Sequence, residues 1–139
     1  MAKSLLDHFP NLYIGVTGKD EQQILSCLMP YLNYVVAFLG VITYATNQNT
    51  AGVIKHLAGT PSSTSPRLRI VLETDSPYMI PSNLTQQTLG LKSGQKLPIS
   101  HSGMIPWTAD FVANLAGERW DVDKVLAISR ENARAIYGV

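Results

Sequence analysis

The pattern of apolar and polar positions along the chain predicts the α/β class, and the length of 139 residues predicts one domain, 1–139. Short apolar runs rich in β-branched residues indicate strands, and apolar residues at every third or fourth position indicate helices. The predicted strands are 12–18, 40–44 and 68–72, and the predicted helices are 2–9, 20–29, 51–57, 106–116 and 121–137. The last helix begins at Asp121 or Val122, and its predicted buried stripe consists of Val122, Val125, Leu126, Ile128, Ala133 and Ile136. The segment between 76 and 102 shows neither pattern, which is typical of a functional or disordered loop.

The predicted buried strand Leu68–Leu72 is followed at once by Glu73 and Asp75. The active sites of α/β enzymes lie at the carboxyl ends of the strands, so these acidic groups are where an active site is expected. The two carboxylates are two positions apart, so a continuing strand would place both on one face and form a paired acid or metal site. Two alternatives remain: a turn near Thr74 that leaves only one acid facing the site, or Asp75 capping the Ser76-Pro77 turn.

Composition narrows the class of protein. The net charge of +1 and the 15% content of charged residues disfavour binding of nucleic acid through a broad basic surface. The single Cys27 cannot form an internal disulfide, and no cleavable leader pattern is visible, so a cytoplasmic location is expected. The most apolar window, 24–39, contains Pro30 and Asn33 and falls short of a membrane span, so no membrane partner is expected.

Two further side chains are candidates for substrate contact. His8, His56 and His101 lack the spacing of a local metal motif, and only His101 lies in the loop that leaves the carboxylate-bearing strand. A solvent-facing or capping role is its alternative. The ring of Tyr78 is suited to stacking on a base, with half-buried packing as its alternative.

Three motifs resemble one known family in the family's own order. Leu72–Pro81 reads LETDSPYMIP and resembles the ETD-[AS]-P-Y-L-x-P signature of TatD-type metal-dependent deoxyribonucleases. Tyr13–Gly18, YIGVTG, is similar to the family's Y-I-G-x-[TS]-G strand, and Glu131–Gly138 is similar to its closing E-N-A-x-x-x-[FY]-G helix. The resemblance extends over nearly the whole chain.

This resemblance implies a TIM-type (β/α)8 barrel hydrolase that cleaves DNA phosphodiesters with divalent metal ions. The metals neutralise the phosphate, lower the pKa of a bound water and stabilise the leaving oxygen. Asp75 matches the family's last-strand aspartate, which is both a metal ligand and a catalytic residue. Mg²⁺ is the expected ion, with Mn²⁺ and Zn²⁺ as alternatives. Glu73 also matches a position of the family signature, and we assign it no direct metal role from the resemblance.

The chain also departs from the family pattern. The family's upstream ligands, a His-x-His, an early glutamate and two middle-strand histidines, have no counterpart here, and a complete barrel needs about 250 residues. The expectation is therefore a C-terminal fragment of the barrel, incomplete and inactive by itself, with exposed strand edges available for self-association. The alternatives are a non-catalytic α/β fragment or interaction module, and an amidohydrolase-like metal hydrolase acting on another substrate.

Two local departures concern single segments. Joining Gly18 to Val41 restores an uninterrupted family-like strand and exit, so the block Lys19–Gly40 is interpreted as an insertion that is foreign to the family. Ser102–Pro106 stands where the family has R-N-x-P, which keeps the proline and loses the arginine and asparagine contacts.

Overall fold

The structure is a computed structural model, and it describes residues 7–9, 14–16, 34–38, 42–43, 48–59, 68–84, 88–92, 95 and 97–139. The strands are β1 (Ile14–Val16), β2 (Tyr34–Phe38) and β3 (Ile70–Leu72). The helices are α1 (Gln48–Gly59), α2 (Ile105–Ala116) and α3 (Val122–Tyr137), and a short 3-10 helix, Ser102–Met104, leads into α2.

The three described strands form one parallel sheet in the order β1-β2-β3. Val36 of β2 is paired with Ile70 of β3, and Ile14 of β1 is paired with Tyr34 of β2. Parallel strands, with α1 between β2 and β3, confirm the predicted α/β class. The described residues form an open sheet and do not close a barrel, so the barrel-fragment interpretation stays a prediction.

The predicted strand 40–44 is wrong at residues 42 and 43, and its residues 40, 41 and 44 lie outside the described residues. Ile42 and Thr43 form a 3-10 turn, and the strand of this region is β2, at Tyr34–Phe38. Thr43 bonds to the loop residue Ser82 and not to a neighbouring strand. Its hydroxyl accepts a hydrogen bond from Ser82 N at 2.7 Å, and its carbonyl accepts one from the Ser82 hydroxyl. A glycine at position 40 also weakens a strand that would run through it.

The other predicted elements agree with the structure except at their ends. Helix α1 begins at Gln48 instead of residue 51, and α2 begins at Ile105 instead of residue 106. Helix α3 has the predicted bounds because Asp121 caps it by accepting from Lys124 N at 2.8 Å, and Gly138 ends it at a φ of 71°. Of helix 2–9 only Asp7 and His8 are described as helical, while helix 20–29 and Cys27 lie outside the described residues.

The hydrophobic core lies among α1, β3, α2 and α3. Its buried side chains are Ile42, Val53, Ile54, Leu57, Ala58, Leu68, Ile70, Leu72, Ala109, Val112, Ala113 and Val125. The apolar stripe predicted on α3 is only half-buried apart from Val125, and Ser129 is buried in its place. The core therefore holds β3 against α1, which precedes it in the sequence, and against α2 and α3, which follow it.

The block Lys19–Gly40 contains β2, the central strand of the sheet. If the block is an insertion, its removal joins Gly18 to Val41. Ile14–Val16 then precede Val41 by the same number of residues as Val36–Phe38 do in the intact chain, so β1 can take the place of β2. We therefore expect the deletion variant to fold with β1 paired directly to β3, Ile14 opposite Ile70. The measurement is amide exchange at Val71, which should stay protected in the deletion variant. Ile70 N and Leu72 N do not report on this pairing, because they donate to the Leu68 carbonyl and to Ser129 Oγ.

As a control, the same number of residues would be replaced by a Gly/Ser linker that keeps β1 distant in sequence from β3. Loss of cooperative unfolding in the deletion variant, with folding retained in the linker variant, would contradict the insertion hypothesis.

Candidate functional site

The carboxyl end of β3 presents two half-buried carboxylates, those of Glu73 and Asp75. The chain turns after Asp75, because the Asp75 carbonyl oxygen accepts from Tyr78 N at 2.7 Å and from Met79 N at 3.2 Å. The Asp75 carboxylate accepts no hydrogen bond from any residue that the structure describes. The main-chain carbonyl closes the turn, so the carboxylate cap considered from the sequence does not form among these residues.

Glu73 and Asp75 lie close enough for their charges to interact. Partial burial raises the pKa of Glu73 above its ordinary value of 4.5, and the neighbouring Asp75 carboxylate raises this pKa further. Two negative charges therefore oppose each other at the end of one strand. A cation bound between them would relieve this repulsion.

We expect Glu73→Gln to stabilise the fold at neutral pH. A carboxyl group with a raised folded pKa stabilises the fold below its ordinary pKa of 4.5, and this contribution is lost as the pH rises through the folded value. The amide removes the cost of ionising Glu73, so the urea midpoint should rise at pH 7 and stay near wild type at pH 3. Urea unfolding in EDTA measures both.

The matched control is Glu118→Gln, which makes the same chemical change at an exposed position. An equal stabilisation by the control variant, or a lower midpoint for Glu73→Gln at pH 7, would show that burial and Asp75 do not oppose the ionisation of Glu73.

The turn after Asp75 is anchored to a distant serine. Ser76 Oγ donates to the Ser100 carbonyl at 3.1 Å, and Ser100 N donates to the Pro77 carbonyl at 2.8 Å. Ser100 is almost fully buried, at 1% exposure. No local pattern in the sequence marks Ser100, because its role depends on a contact across 24 residues.

His101 follows Ser100 and is therefore near the same turn. Its exposed ring caps the 3-10 helix, because Nδ1 accepts from Gly103 N at 2.9 Å. The capping alternative is confirmed by this contact. Since Nδ1 is the acceptor, a neutral ring carries its proton on Nε2, which leaves a donor suited to a phosphate oxygen.

Tyr78 and Trp107 differ in exposure. The Tyr78 side chain is 83% exposed, so half-buried packing does not describe it, whereas Trp107 is half-buried at the start of α2. Asn83 Nδ2 donates to the Trp107 carbonyl at 2.8 Å and to Asp110 Oδ2 at 3.3 Å. The segment that follows Tyr78 is thereby fastened to α2, while the Tyr78 ring itself remains accessible.

The remaining titratable candidates lie elsewhere. His8 is exposed in the short helical segment Asp7–His8, and His56 is exposed on α1. Within the described ranges, no group of three or more His, Cys, Asp or Glu side chains could hold a metal ion. Carboxylate oxygens suit hard cations such as Mg²⁺ and Mn²⁺, but Asp75 and Glu73 alone do not fit a complete site for such an ion.

No helix in the described part of the chain is long and apolar enough to cross a membrane. No curated protein matches the chain. The family model for TatD related DNase matches residues 16–138, which include all six named strands and helices except the first two residues of β1. Members of this family are TIM-barrel proteins, generally metal-dependent, that act on DNA. The chain belongs to the TatD related DNase family.

Proposed function

We propose that this chain carries the last part of a TatD-type metal-dependent hydrolase whose substrate is DNA, with Asp75 as a metal ligand and catalytic residue. The observation that supports this most is the Asp75 carboxylate. It lies at the carboxyl end of a parallel strand, half-buried, and forms no hydrogen bond with the residues described. A side chain of this kind is available to bind a cation.

The proposed ion is Mg²⁺, with Mn²⁺ as its close substitute and Zn²⁺ as the less suited alternative, because the available donors are carboxylate oxygens. When bound, such an ion supplies charge neutralisation and a more acidic water. Asp75 would hold the ion, and Glu73 would add negative charge beside it. Further ligands are needed, and the described residues do not provide them.

Tyr78 and His101 are the proposed substrate contacts. The exposed ring of Tyr78 offers a face on which a base can stack. The His101 ring is oriented by its contact with Gly103 N, which leaves Nε2–H as a donor for a phosphate oxygen. Tyr78 lies in the anchored turn that follows Asp75, and His101 follows Ser100, which anchors this turn. A nucleotide bound there would be near the carboxylate.

By itself the chain is expected to be inactive, because the described residues provide only part of a metal-ligand set. A non-catalytic fragment or interaction module is therefore the second candidate, and the open parallel sheet supports it. Self-association through an uncovered strand edge belongs to this candidate. A cytoplasmic location fits both, since the sequence contains a single cysteine.

The test is a cleavage assay on single- and double-stranded DNA with the purified chain and Mg²⁺ or Mn²⁺, and with EDTA as control. Addition of a separately expressed TatD-type upstream segment that carries the missing ligands tests whether the chain can complete an active site. The proposal expects no cleavage by the chain alone and metal-dependent cleavage in the mixture. Cleavage by the chain alone, abolished by EDTA, would overturn the proposed inactivity; no cleavage in a mixture that forms a stable complex would favour the interaction module.

A further inference from the structure

Two side chains of α3 bond to the main chain in β3 and just before it. Leu72 N donates to Ser129 Oγ at 2.8 Å, and this contact is buried. Asn132 Nδ2 donates to the carbonyl oxygens of Leu68, at 2.8 Å, and Ile70, at 2.9 Å. We call Ser129 and Asn132 the edge clamp. They are partners for three main-chain groups of a kind that a neighbouring strand normally satisfies.

The edge clamp lies on the edge of β3 that faces away from β2. Main-chain groups of successive residues in a strand point to opposite edges, and the amides of Ile70 and Leu72 both donate to acceptors outside β2. The pairing with β2 is therefore made through Val71, the residue between them. Among the described strands β3 is the last of the sheet, so on this outer edge the clamp takes the position of a further strand.

The groups that the clamp occupies are those that a parallel strand would use. In a parallel pair, one residue of the added strand donates to the carbonyl of one residue and accepts from the amide two positions later. The Ile70 carbonyl and the Leu72 amide form such a set. An antiparallel partner needs both groups of a single residue, and the Ile70 amide already donates to the Leu68 carbonyl at 3.0 Å. The outer edge is therefore better suited to a parallel strand than to a second copy of β3, which a two-fold axis would place antiparallel.

The part of α3 that carries Asn132 is only lightly packed. The buried side chains of α3 are those of Val125 and Ser129, and residues 130–139 are all half-buried or exposed. Segments with few buried contacts open at the lowest free energy. This end of α3 can therefore move away from β3 while Val125 stays in the core.

We propose that the edge clamp occupies the position of a parallel strand from another polypeptide, and that this strand displaces Ser129 and Asn132 when it pairs with β3. The inference rests on the proposed function, in which an upstream segment completes a barrel with this chain, and it involves no metal ion. A closed barrel has no free strand edge, so its closure requires a strand beside β3. Until then the clamp satisfies main-chain groups that would be destabilising if they were buried without partners.

The first measurement is amide exchange in the free chain, in EDTA. Ser129→Ala removes the acceptor of the Leu72 amide, and Ser129→Thr keeps the hydroxyl. We expect exchange at Leu72 to accelerate about tenfold in Ser129→Ala and to stay slow in Ser129→Thr, while Val71 stays slow in both. Unchanged exchange at Leu72, or equal acceleration at Val71, would overturn a contact that is specific to the outer edge.

The second measurement is the affinity of the chain for the fluorescently labelled upstream segment of the cleavage assay, followed by anisotropy in EDTA. Loss of the clamp destabilises only the free chain, so Ser129→Ala and Asn132→Leu should bind the segment about tenfold more tightly than wild type. The Leu72 amide of Ser129→Ala should become slow again in the complex, because a strand carbonyl replaces the hydroxyl. The control is Arg130→Ala, an exposed change on the same helix, which should bind like wild type.

The possible failures are distinguishable. Absence of binding by wild type and by every variant would overturn both the completion by an upstream segment and the inference drawn from it. Binding in which the Leu72 amide of Ser129→Ala stays fast would overturn the inference alone, because the segment would then pair elsewhere. Equal or weaker binding by the two clamp variants would show that the clamp persists in the complex and is not displaced. Dimerisation of Asn132→Leu by itself, measured by sedimentation velocity, would show that a second copy of the chain takes this edge instead.

Discussion

Replacement of Ile54 with alanine is expected to lower the free energy of unfolding by about 2–5 kcal/mol. The Ile54 side chain is fully buried, at 0% exposure, and belongs to the core that joins α1 to β3, α2 and α3. Alanine has the higher helix propensity, so the loss comes from the cavity and the missing contacts rather than from the helix itself. For a domain whose total stability is about 5–15 kcal/mol, this is a large part.

The measurement is urea unfolding followed by circular dichroism, and the matched control is Lys55→Ala. Lys55 is the next residue of α1 and is exposed, so the same truncation there removes no core contact. A loss below about 1 kcal/mol for Ile54→Ala, or equal losses for the two variants, would mean that α1 does not pack on the core as described.

The replacement Asp75→Asn is expected to weaken the Mn²⁺ binding proposed for the strand end, measured in the mixture with the upstream segment. The amide has nearly the shape of the carboxylate but neither its charge nor its second hard oxygen, and hard cations depend on both. The affinity should fall at least about tenfold, which corresponds to about 1.4 kcal/mol. Cleavage of DNA in the mixture with the upstream segment should be lost as well.

A measurement of stability distinguishes a loss of Mn²⁺ binding in Asp75→Asn from unfolding of this variant. Removing the Asp75 charge also removes its repulsion of Glu73, so Asp75→Asn should unfold at the same urea concentration as wild type or at a higher one. The control is Asp123→Asn, an identical change at an exposed position in the first turn of α3. Equal Mn²⁺ affinity of wild type and Asp75→Asn would rule out Asp75 as a metal ligand in this chain.

Elements with strong local signals were predictable from the sequence. Helix α3 could be delimited because Asp121 is a capping residue and Gly138 adopts the left-handed conformation that ends a helix. Helix α2 was found from Pro106 in its first turn and from its apolar spacing. The apolar run before Glu73 identified β3, and the motif around Asp75 identified the family.

The strand β2 was missed because local pattern does not decide between competing apolar runs. Positions 34–38 and 40–44 are both rich in β-branched and aromatic residues, and only the sheet selects one of them. Its place between β1 and β3 is a property of the whole sheet. No spacing in the sequence expresses that order.

Sequence alone therefore determined the α/β class, the final helices, the family and the acidic strand end, because these depend on neighbouring residues and on a contiguous motif. Only the tertiary structure showed that Ser100 bonds to the turn after Asp75, and that Ser129 and Asn132 bond to the main chain of the segment 68–72. Their contacts join residues 24, 57, and 62 or 64 positions apart. Such contacts form only when the chain folds back on itself, so a serine that anchors a strand and one that faces water look alike in the sequence.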